Sequence, residues 1–295
     1  GYRIHALAFD PADLDVDLAG RRMLVTGANA GIGYAAALGL ARLGAEVVLL
    51  CRSAARGDDA AERIRAASAN PNVFVEVVDM ADLGSVRAAG ERLAATRVDV
   101  LVHNAGLLPE ARVETPQKLE QTFAAHVIGP HLLTRLLLPA LERSDDARVV
   151  WVSSGGMYSR RLNLDDPNWE KRTYDGVLAY AETKRAQVVL SELWAEKLRR
   201  KRIAVNAMHP GWAETGGVQT SLPRFYRLTK AILRTPEEGA DTIVWLAASP
   251  AARAHSGAFF LDRQPRPTHF LPFTRESEAD RQSLWRLCDR FAKRG

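Results

Sequence analysis

A glycine-rich junction between an apolar run and an alanine-rich stretch constrains the fold of this chain most strongly. Residues 23–25 are apolar, and Gly27, Gly31 and Gly33 follow at the start of a segment with helical character. A strand that turns directly into a helix needs glycine for the tight turn, for approach of backbone N–H groups to phosphate and for close helix packing. The junction therefore predicts a dinucleotide-binding turn, with a purely structural glycine turn as the alternative. The candidate contacts are Gly27, Asn29, Gly31, Ile32 and Gly33.

Apolar runs alternate with helical stretches along most of the chain. Strands are predicted at 22–26, 46–50, 73–77, 98–103, 147–153, 203–208 and 257–260, and helices near 31–43, 58–69, 82–95, 116–142, 177–200 and 236–248. Strands separated by helices form a parallel sheet covered on both faces, and right-handed connections make that sheet doubly wound. The prediction is a single α/β domain of the Rossmann type over residues 1–295, with its ligand at the carboxyl ends of the strands.

Two segments lack clear periodicity and follow predicted strand ends, one near 155–176 and one near 211–235. Loops at the carboxyl edge of such a sheet are placed to build a substrate pocket. We therefore expect both segments to contact the substrate. A C-terminal extension begins at about residue 262.

Composition and charge exclude several classes of protein. The 40 basic residues are scattered among 35 acidic ones, so the net charge of +5 predicts no nucleic-acid partner. The apolar runs are strand-sized and broken by charges, which predicts no membrane span of roughly 20 residues. Two cysteines, Cys51 and Cys288, are too few for a disulfide framework or a metal knuckle, and no metal is expected. We expect a reducing, cytoplasmic location, and a targeting segment upstream of Gly1 stays open.

The end of the second predicted strand indicates which cofactor binds. NAD-preferring folds carry an acid there that binds the ribose 2′-hydroxyl, whereas this chain has Cys51 followed by Arg52. An arginine can bind a 2′-phosphate through two hydrogen bonds, so NADP(H) is predicted over NAD(H). Asp79 and Met80 follow the third strand and are candidate adenine contacts, although Asp79 could instead cap the next helix.

A tyrosine and a lysine at the start of the predicted helix 177–200 are the candidate proton-transfer residues. Tyr180 and Lys184 are four residues apart, so one face of that helix carries both. A free phenol titrates near pH 10, and a neighbouring ammonium is expected to lower the pKa of Tyr180 toward the working range. The preceding strand ends in Ser153 and Ser154, and a hydroxyl there can donate to a substrate oxygen.

A second tyrosine–lysine pair has the same spacing. Tyr226 and Lys230 follow the sixth predicted strand, which has no serine at its end. We interpret this second pair as a chance match within the segment 211–235.

Together these motifs resemble the short-chain dehydrogenase/reductase family over roughly residues 20–265. Asn104-Ala105-Gly106 follows the fourth strand, and Pro210-Gly211 with Thr215 follows the sixth, as in that family. The strings 152–157, 208–213 and 257–263 are most similar to the retinol-dehydrogenase-like branch and its member-12 type. The resemblance implies that the second serine, Ser154, is the catalytic one. It also implies cofactor contacts by Asn104, Ala105, Gly106, Tyr180, Lys184, Pro210, Gly211 and Thr215.

The resemblance implies an NADP(H)-dependent oxidoreductase that acts on the carbonyl or alcohol group of a small molecule. Tyr180 would give or take the proton, Ser154 would polarise the substrate oxygen, and Lys184 would support both Tyr180 and the nicotinamide ribose. Met157, Tyr158, Trp212 and Phe225 would line a pocket for an apolar ketone or aldehyde, or would serve only in packing.

One position departs from the family pattern. His126 stands where the family usually has an asparagine, which is thought to hold a helix distortion and a water that links the lysine to solvent. The histidine could keep that water, carry the proton itself or interrupt the relay, and a purely structural histidine is the more common case. The alternative function is therefore a regulatory protein that binds NADP(H) with weak or no turnover.

The helices predicted at 116–142 and 177–200 carry more apolar residues than one face of a sheet requires. Related enzymes pair these helices across a two-fold axis, so a homo-oligomer, a dimer or a tetramer, is expected. The alternative is that the C-terminal segment covers the surplus. The residues concerned are Leu132, Leu133, Leu136, Leu137 and Leu138 on the first helix, with Val188, Val189, Leu193 and Trp194 on the second.

Overall fold

A computed structural model describes residues 2–212 and 233–293, and the predictions on Thr215, Phe225, Tyr226 and Lys230 lie outside these residues. The core is one eight-stranded sheet in the order β3-β2-β1-β4-β5-β6-β7-β8. Strands β1 to β7 are parallel, and β8 pairs antiparallel with β7. The strands are β1 Arg22–Thr26, β2 Glu46–Cys51, β3 Val73–Val77, β4 Val100–His103, β5 Ala147–Val152, β6 Ile203–Met208, β7 Phe259–Leu261 and β8 Gln264–Arg266. The predicted doubly wound α/β domain is confirmed.

Helices cover both faces of this sheet. They are α1 Tyr2–Ala6, α2 Gly31–Arg42, α3 Ala54–Ser68, α4 Leu83–Leu93, α5 Gln121–Leu141, α6 Gly176–Leu198, α7 Pro236–Ala248 and α8 Glu278–Lys293. Two helices, α3 and α5, begin at residues other than those predicted, because side chains cap their N-termini. Ser53 accepts a hydrogen bond from the Arg56 amide and starts α3 earlier, whereas Glu120 accepts from the amides of Thr122 and Phe123 and starts α5 later.

Helices α1 and α8 and strand β8 were not predicted from the sequence. Strand β8 is three residues long and carries Pro265, which offers no amide hydrogen to the ladder and weakens the strand pattern. Helix α8 is amphipathic, but most of its residues are polar or charged and it lies beyond the region that the family motifs cover. Its apolar face becomes meaningful only against the helices that it packs on.

The core consists of two apolar layers, one on each face of the sheet. The layer formed with α4, α5 and α6 contains Leu133 and Val189, both fully buried. Helix α5 is long and apolar enough to cross a membrane by length and composition, a property that the sequence analysis overlooked. In this fold 78% of the apolar window of α5 is buried against other parts of the chain, as in the core helix of a folded domain.

The apolar surplus on α5 and α6 is covered within the chain. Leu284, Cys288 and Ala292 of α8 are buried in the same layer as the apolar residues of those two helices. The structure therefore shows the alternative that the sequence left open, in which the C-terminal segment covers the surplus.

Candidate active site

The glycine turn lies at the carboxyl edge of the sheet, where the strand order reverses between β1 and β4. Gly27 has a φ of +66°, and a Cβ there would come 2.9 Å from the Cα of Ala105. A Cβ on Gly33 would overlap the side-chain amide of Asn104. Gly31, with a φ of +56°, opens α2, so the backbone amides of the turn surround the N-terminus of that helix. These backbone constraints fit a bound pyrophosphate, and Ile32 lies in the first turn of α2.

Thr26 joins the glycine turn to the segment after β4, and the sequence analysis did not single it out. Its hydroxyl accepts hydrogen bonds from the amides of Asn104 and Ala105, both at 2.9 Å, and donates to the carbonyl of Val102. The Asn104 side chain donates to the Thr26 carbonyl at 2.9 Å. Gly106 is exposed beside them, so the predicted contacts 104–106 lie directly against the glycine turn.

The ends of β2 and β3 present the residues predicted to select the cofactor. Arg52 is exposed, and within residues 2–212 and 233–293 its guanidinium has no hydrogen bond or ion pair. Asp79 accepts a hydrogen bond from the Ala81 amide, while the cap of α4 is Asp82, which accepts from the Gly84 amide. Asp79 is therefore not the helix cap, and Met80 beside it is buried.

Cys51 is a further residue that the sequence analysis missed. Burial raises the pKa of its thiol to about 11, and the nearby backbone amides of Ala28 and Asn29 offset part of that effect. The thiol therefore lies beside the glycine turn at the end of β2.

The structure brings Ser154, Tyr180 and Lys184 together. Ser154 caps the short helix after β5 by accepting a hydrogen bond from the Gly156 amide, and its hydroxyl lies close enough to the Tyr180 phenol to lower the pKa of that group. The Lys184 ammonium lies 5.3 Å from the centre of the Tyr180 ring and donates to the Val152 carbonyl at 2.9 Å. The rival serine, Ser153, is buried and donates to the Lys184 carbonyl, so it helps to hold α6 on β5.

The pKa of Tyr180 differs from the expectation. Burial raises it above the ordinary value of 10, and the nearby Ser154 hydroxyl offsets only part of that effect. Lys184 does not lower it here because the lysine is itself buried, and that burial lowers the pKa of Lys184 to about 7. The phenol is thus protonated at neutral pH in this state of the protein.

His126 lies in a π-helical turn of α5, Ala124–Ile128, and is fully buried. Its Nε2 accepts from the Leu107 amide at 2.9 Å, so the neutral ring carries its proton on Nδ1 and donates to the Thr183 hydroxyl, also at 2.9 Å. Thr183 in turn donates to the Tyr180 carbonyl. Both ring nitrogens are therefore occupied.

The surroundings of His126 also oppose proton transfer. Burial, with a smaller contribution from the Lys184 charge, holds the pKa of His126 well below its ordinary value. The carbonyl of His126 has no helical donor four residues on, because that residue is Pro130, and the Gln187 side chain donates to it at 2.9 Å instead. The helix distortion is thus present with a histidine at this position, and the Gln187 bond to the His126 carbonyl ties α5 to α6.

We expect His126→Asn to leave kcat and its pH profile unchanged while lowering the free energy of unfolding by about 1–3 kcal/mol, because one buried hydrogen bond is lost. His126→Phe, which keeps a ring but loses both bonds, should be less stable still. Steady-state kinetics and denaturant titration of both variants measure this. A large loss of kcat with a shifted pH profile in His126→Asn would instead make the histidine a proton carrier.

The residues predicted to contact the nicotinamide or to line the substrate pocket lie in different surroundings. Gly211 has a φ of +73°, and its amide donates to His209, while the Pro210 carbonyl accepts from Arg234. Met157 is fully buried in the apolar layer, which fits the alternative that it serves in packing, and Trp212 is 59% exposed.

Tyr158 packs against the C-terminal extension rather than facing only the catalytic residues. Its ring lies 4.3 Å from the ring of Phe270, and its hydroxyl donates to the Pro267 carbonyl. A cavity of about 440 Å³ on the segment 155–176 is not lined by the catalytic residues; its lining is Ser159, Arg160, Arg161, Asn163, Arg172, Glu182 and Phe273.

The sequence of this chain is similar to those of known proteins. The profile of the short chain dehydrogenase family matches residues 21–224. The chain is 42% identical to dehydrogenase/reductase SDR family member 12 of Bos taurus, over all of this chain and 93% of the relative. It is 34% identical to retinol dehydrogenase 14 of Homo sapiens, covering 92% of this chain and 85% of the relative.

The fold is also that of solved structures. The crystal structure of an uncharacterized protein from Mycobacterium Paratuberculosis superposes with a TM-score of 0.77 at 29% identity, covering 97% of each chain. The profile match over more than half of the sequence and the relatives above 30% identity agree with the glycine turn and the catalytic residues. The chain therefore belongs to the short-chain dehydrogenase/reductase family, in its retinol-dehydrogenase-like branch, and is an oxidoreductase of the type that acts on CH–OH groups.

Proposed function

We propose that this protein is an NADP(H)-dependent carbonyl reductase or alcohol dehydrogenase for apolar ketones or aldehydes. The observation that carries the proposal is the meeting of Ser154, Tyr180 and Lys184 at the edge of the sheet that holds the glycine turn, with the Lys184 amino group 5.3 Å from the tyrosine ring. These groups are the ones that carbonyl reduction requires around the substrate oxygen.

The three side chains divide the work on the substrate oxygen. A nicotinamide cofactor, held by the glycine turn, would supply or accept the hydride at the carbonyl carbon. Ser154 donates a hydrogen bond to the carbonyl oxygen and stabilises the negative charge that develops there. Tyr180 passes its proton to that oxygen in reduction and accepts it in oxidation, and Lys184, when protonated, places positive charge beside the tyrosine.

We further propose that at neutral pH the resting protein already holds Tyr180 in the protonated form that reduction needs. A proton donor must carry its proton in the resting state, and burial raises the pKa of Tyr180 so that the phenol does. Oxidation needs the phenolate, whose burial beside apolar groups is costly. Alkaline conditions therefore favour the oxidative reaction.

Arg52 is the group that selects the cofactor in this proposal. It follows β2 at the carboxyl edge of the sheet, next to the glycine turn, and its exposed guanidinium has no partner in the part of the chain that the structure describes. A 2′-phosphate on the adenosine ribose would pair with it through two charge-assisted hydrogen bonds. No carboxylate follows Cys51 that would compete for the ribose hydroxyl.

We expect NADPH to bind at least about tenfold more tightly than NADH, a difference of about 1.4 kcal/mol. Arg52→Ala should remove most of that preference by weakening NADPH while leaving NADH affinity unchanged. Calorimetric titration of both cofactors measures it. Arg42→Ala is the matched control, because Arg42 is also exposed but ends α2 at the opposite edge of the sheet. Equal affinities in the parent, or no effect of Arg52→Ala, would contradict the assignment.

The test of the function itself is a panel of carbonyl compounds with NADPH and of alcohols with NADP+. Activity with apolar ketones or aldehydes supports the proposal. Tight NADPH binding with no turnover on the whole panel would favour a regulatory protein instead.

A cytoplasmic location also belongs to the proposal, since Cys51 and Cys288 are both free, buried thiols.

A further inference from the structure

The C-terminal helix α8 lies on the outer face of α5 and α6, which carry the apolar surplus. Leu284, Cys288 and Ala292 are spaced one helical turn apart on α8, and all three are buried. They join the apolar layer that contains Leu133 of α5 and Val189 of α6. The docked face of α8 is therefore part of the protein core.

A polar and aromatic cluster fixes the position of α8. Asp289 lies 3.0 Å from His131 Nε2 and 2.7 Å from the Arg135 guanidinium, so both partners are on α5. Trp285 donates to the same carboxylate at 3.1 Å. Its ring packs 4.9 Å from His131 and 4.8 Å from Trp194 of α6. Three elements therefore meet around one carboxylate.

A second set of contacts joins the start of α8 to α6. Arg281 pairs with Glu192 at 2.6 Å and with Glu196 at 2.7 Å. The Lys197 ammonium lies 4.3 Å from the Trp285 ring. These contacts align α8 along α6, where hydrophobic contacts alone would allow it to slide.

The packing of α8 leaves the middle of α6 buried on all sides. Residues 183–191 of α6 are buried without a break, so this stretch has no solvent-facing side. A helix buried all round has no apolar stripe left for another molecule. On α5, Leu132, Leu133 and Leu137 are likewise buried inside a single chain, and Leu136 and Leu138 are partly buried.

We infer that α8 takes the place of a second subunit on the α5–α6 face, so that this chain does not dimerise through that face while α8 is docked. A second copy could reach the face only after α8 had left it. The inference does not depend on the proposed function, because it rests on packing and its readout is the state of assembly.

Sedimentation velocity of the full chain over a micromolar concentration range tests this, with and without charge reversals in the Asp289 cluster. The parent should sediment as a monomer. Asp289→Arg places a cation against Arg135 and His131, and Arg135→Asp places a carboxylate against Asp289. Either change should release α8 and raise self-association at least about tenfold, whereas the double variant, which restores an opposite-charge pair, should return to the monomer. Arg286→Ala, on the exposed side of α8, is the control and should stay monomeric.

Amide hydrogen exchange of α8 shows in each variant whether the helix has been released. Fast exchange in α8 together with dimer formation supports the inference. A parent dimer that protects α5 and α6 at its interface overturns it, and so does a variant whose α8 exchanges fast while the protein remains monomeric.

Discussion

Replacing Tyr180 with phenylalanine should lower kcat for carbonyl reduction by about a hundred- to ten-thousand-fold, the usual contribution of a positioned general acid. NADPH affinity should be nearly unchanged, because only the transition state needs the hydroxyl. The neighbouring groups should keep their places, since the ring of Tyr180 still packs at 5.5 Å from the ring of His126. Single-turnover kinetics with a substrate identified from the panel, together with NADPH titration, measure both quantities.

Tyr226→Phe is the matched control, because Tyr226 begins the other tyrosine–lysine pair. It should alter at most the KM. If Tyr180→Phe stays active while Tyr226→Phe loses activity, the assignment of the active site is wrong.

Lys184→Met should lower kcat and weaken NADPH binding together, because the ammonium is placed to act on both the tyrosine and the cofactor ribose. It should also change how the stability of the cofactor-free protein depends on pH. Burial lowers the pKa of Lys184 from 10.5 to about 7, so between those values the unfolded chain binds a proton that the folded chain does not. The free energy of unfolding of the parent should therefore rise with pH across this window, by up to about 1.4 kcal/mol per pH unit relative to the variant.

Denaturant titrations of parent and Lys184→Met at several pH values between 7 and 10.5 measure that difference. Below pH 7 the lysine is protonated in both states, and the difference should be constant. Lys197→Met is the control, since Lys197 is on the same helix but exposed. Parallel pH dependence of the parent and Lys184→Met would show that Lys184 does not titrate in this window.

Sequence patterns were sufficient wherever the structural cause is local. Periodicity located the seven parallel strands because alternating apolar runs and helices are properties of short segments. The glycine turn was predictable because only glycine adopts the backbone of Gly27 without strain, with Ala105 packed against it. The spacing of Tyr180 and Lys184 was readable because residues four apart share one face of a helix.

The structure decided the features that depend on partners distant in the sequence. Whether Lys184 would lower the pKa of Tyr180 depends on how far both groups are removed from water, and burial gave the opposite direction. The occupied ring of His126 depends on Leu107 and Thr183, which lie 19 and 57 residues away along the chain.

The covering of α5 and α6 by α8 also depends on residues that are distant in the sequence. The sequence alone determined that the two helices carry a surplus of apolar side chains, but a second subunit and the C-terminal segment could both bury it. Only the tertiary structure decided between these for the single chain, because Asp289 meets His131 across 158 residues of sequence and no local pattern encodes that contact. Apolar periodicity specifies that a surface must be buried, and the packing of distant segments specifies what buries it.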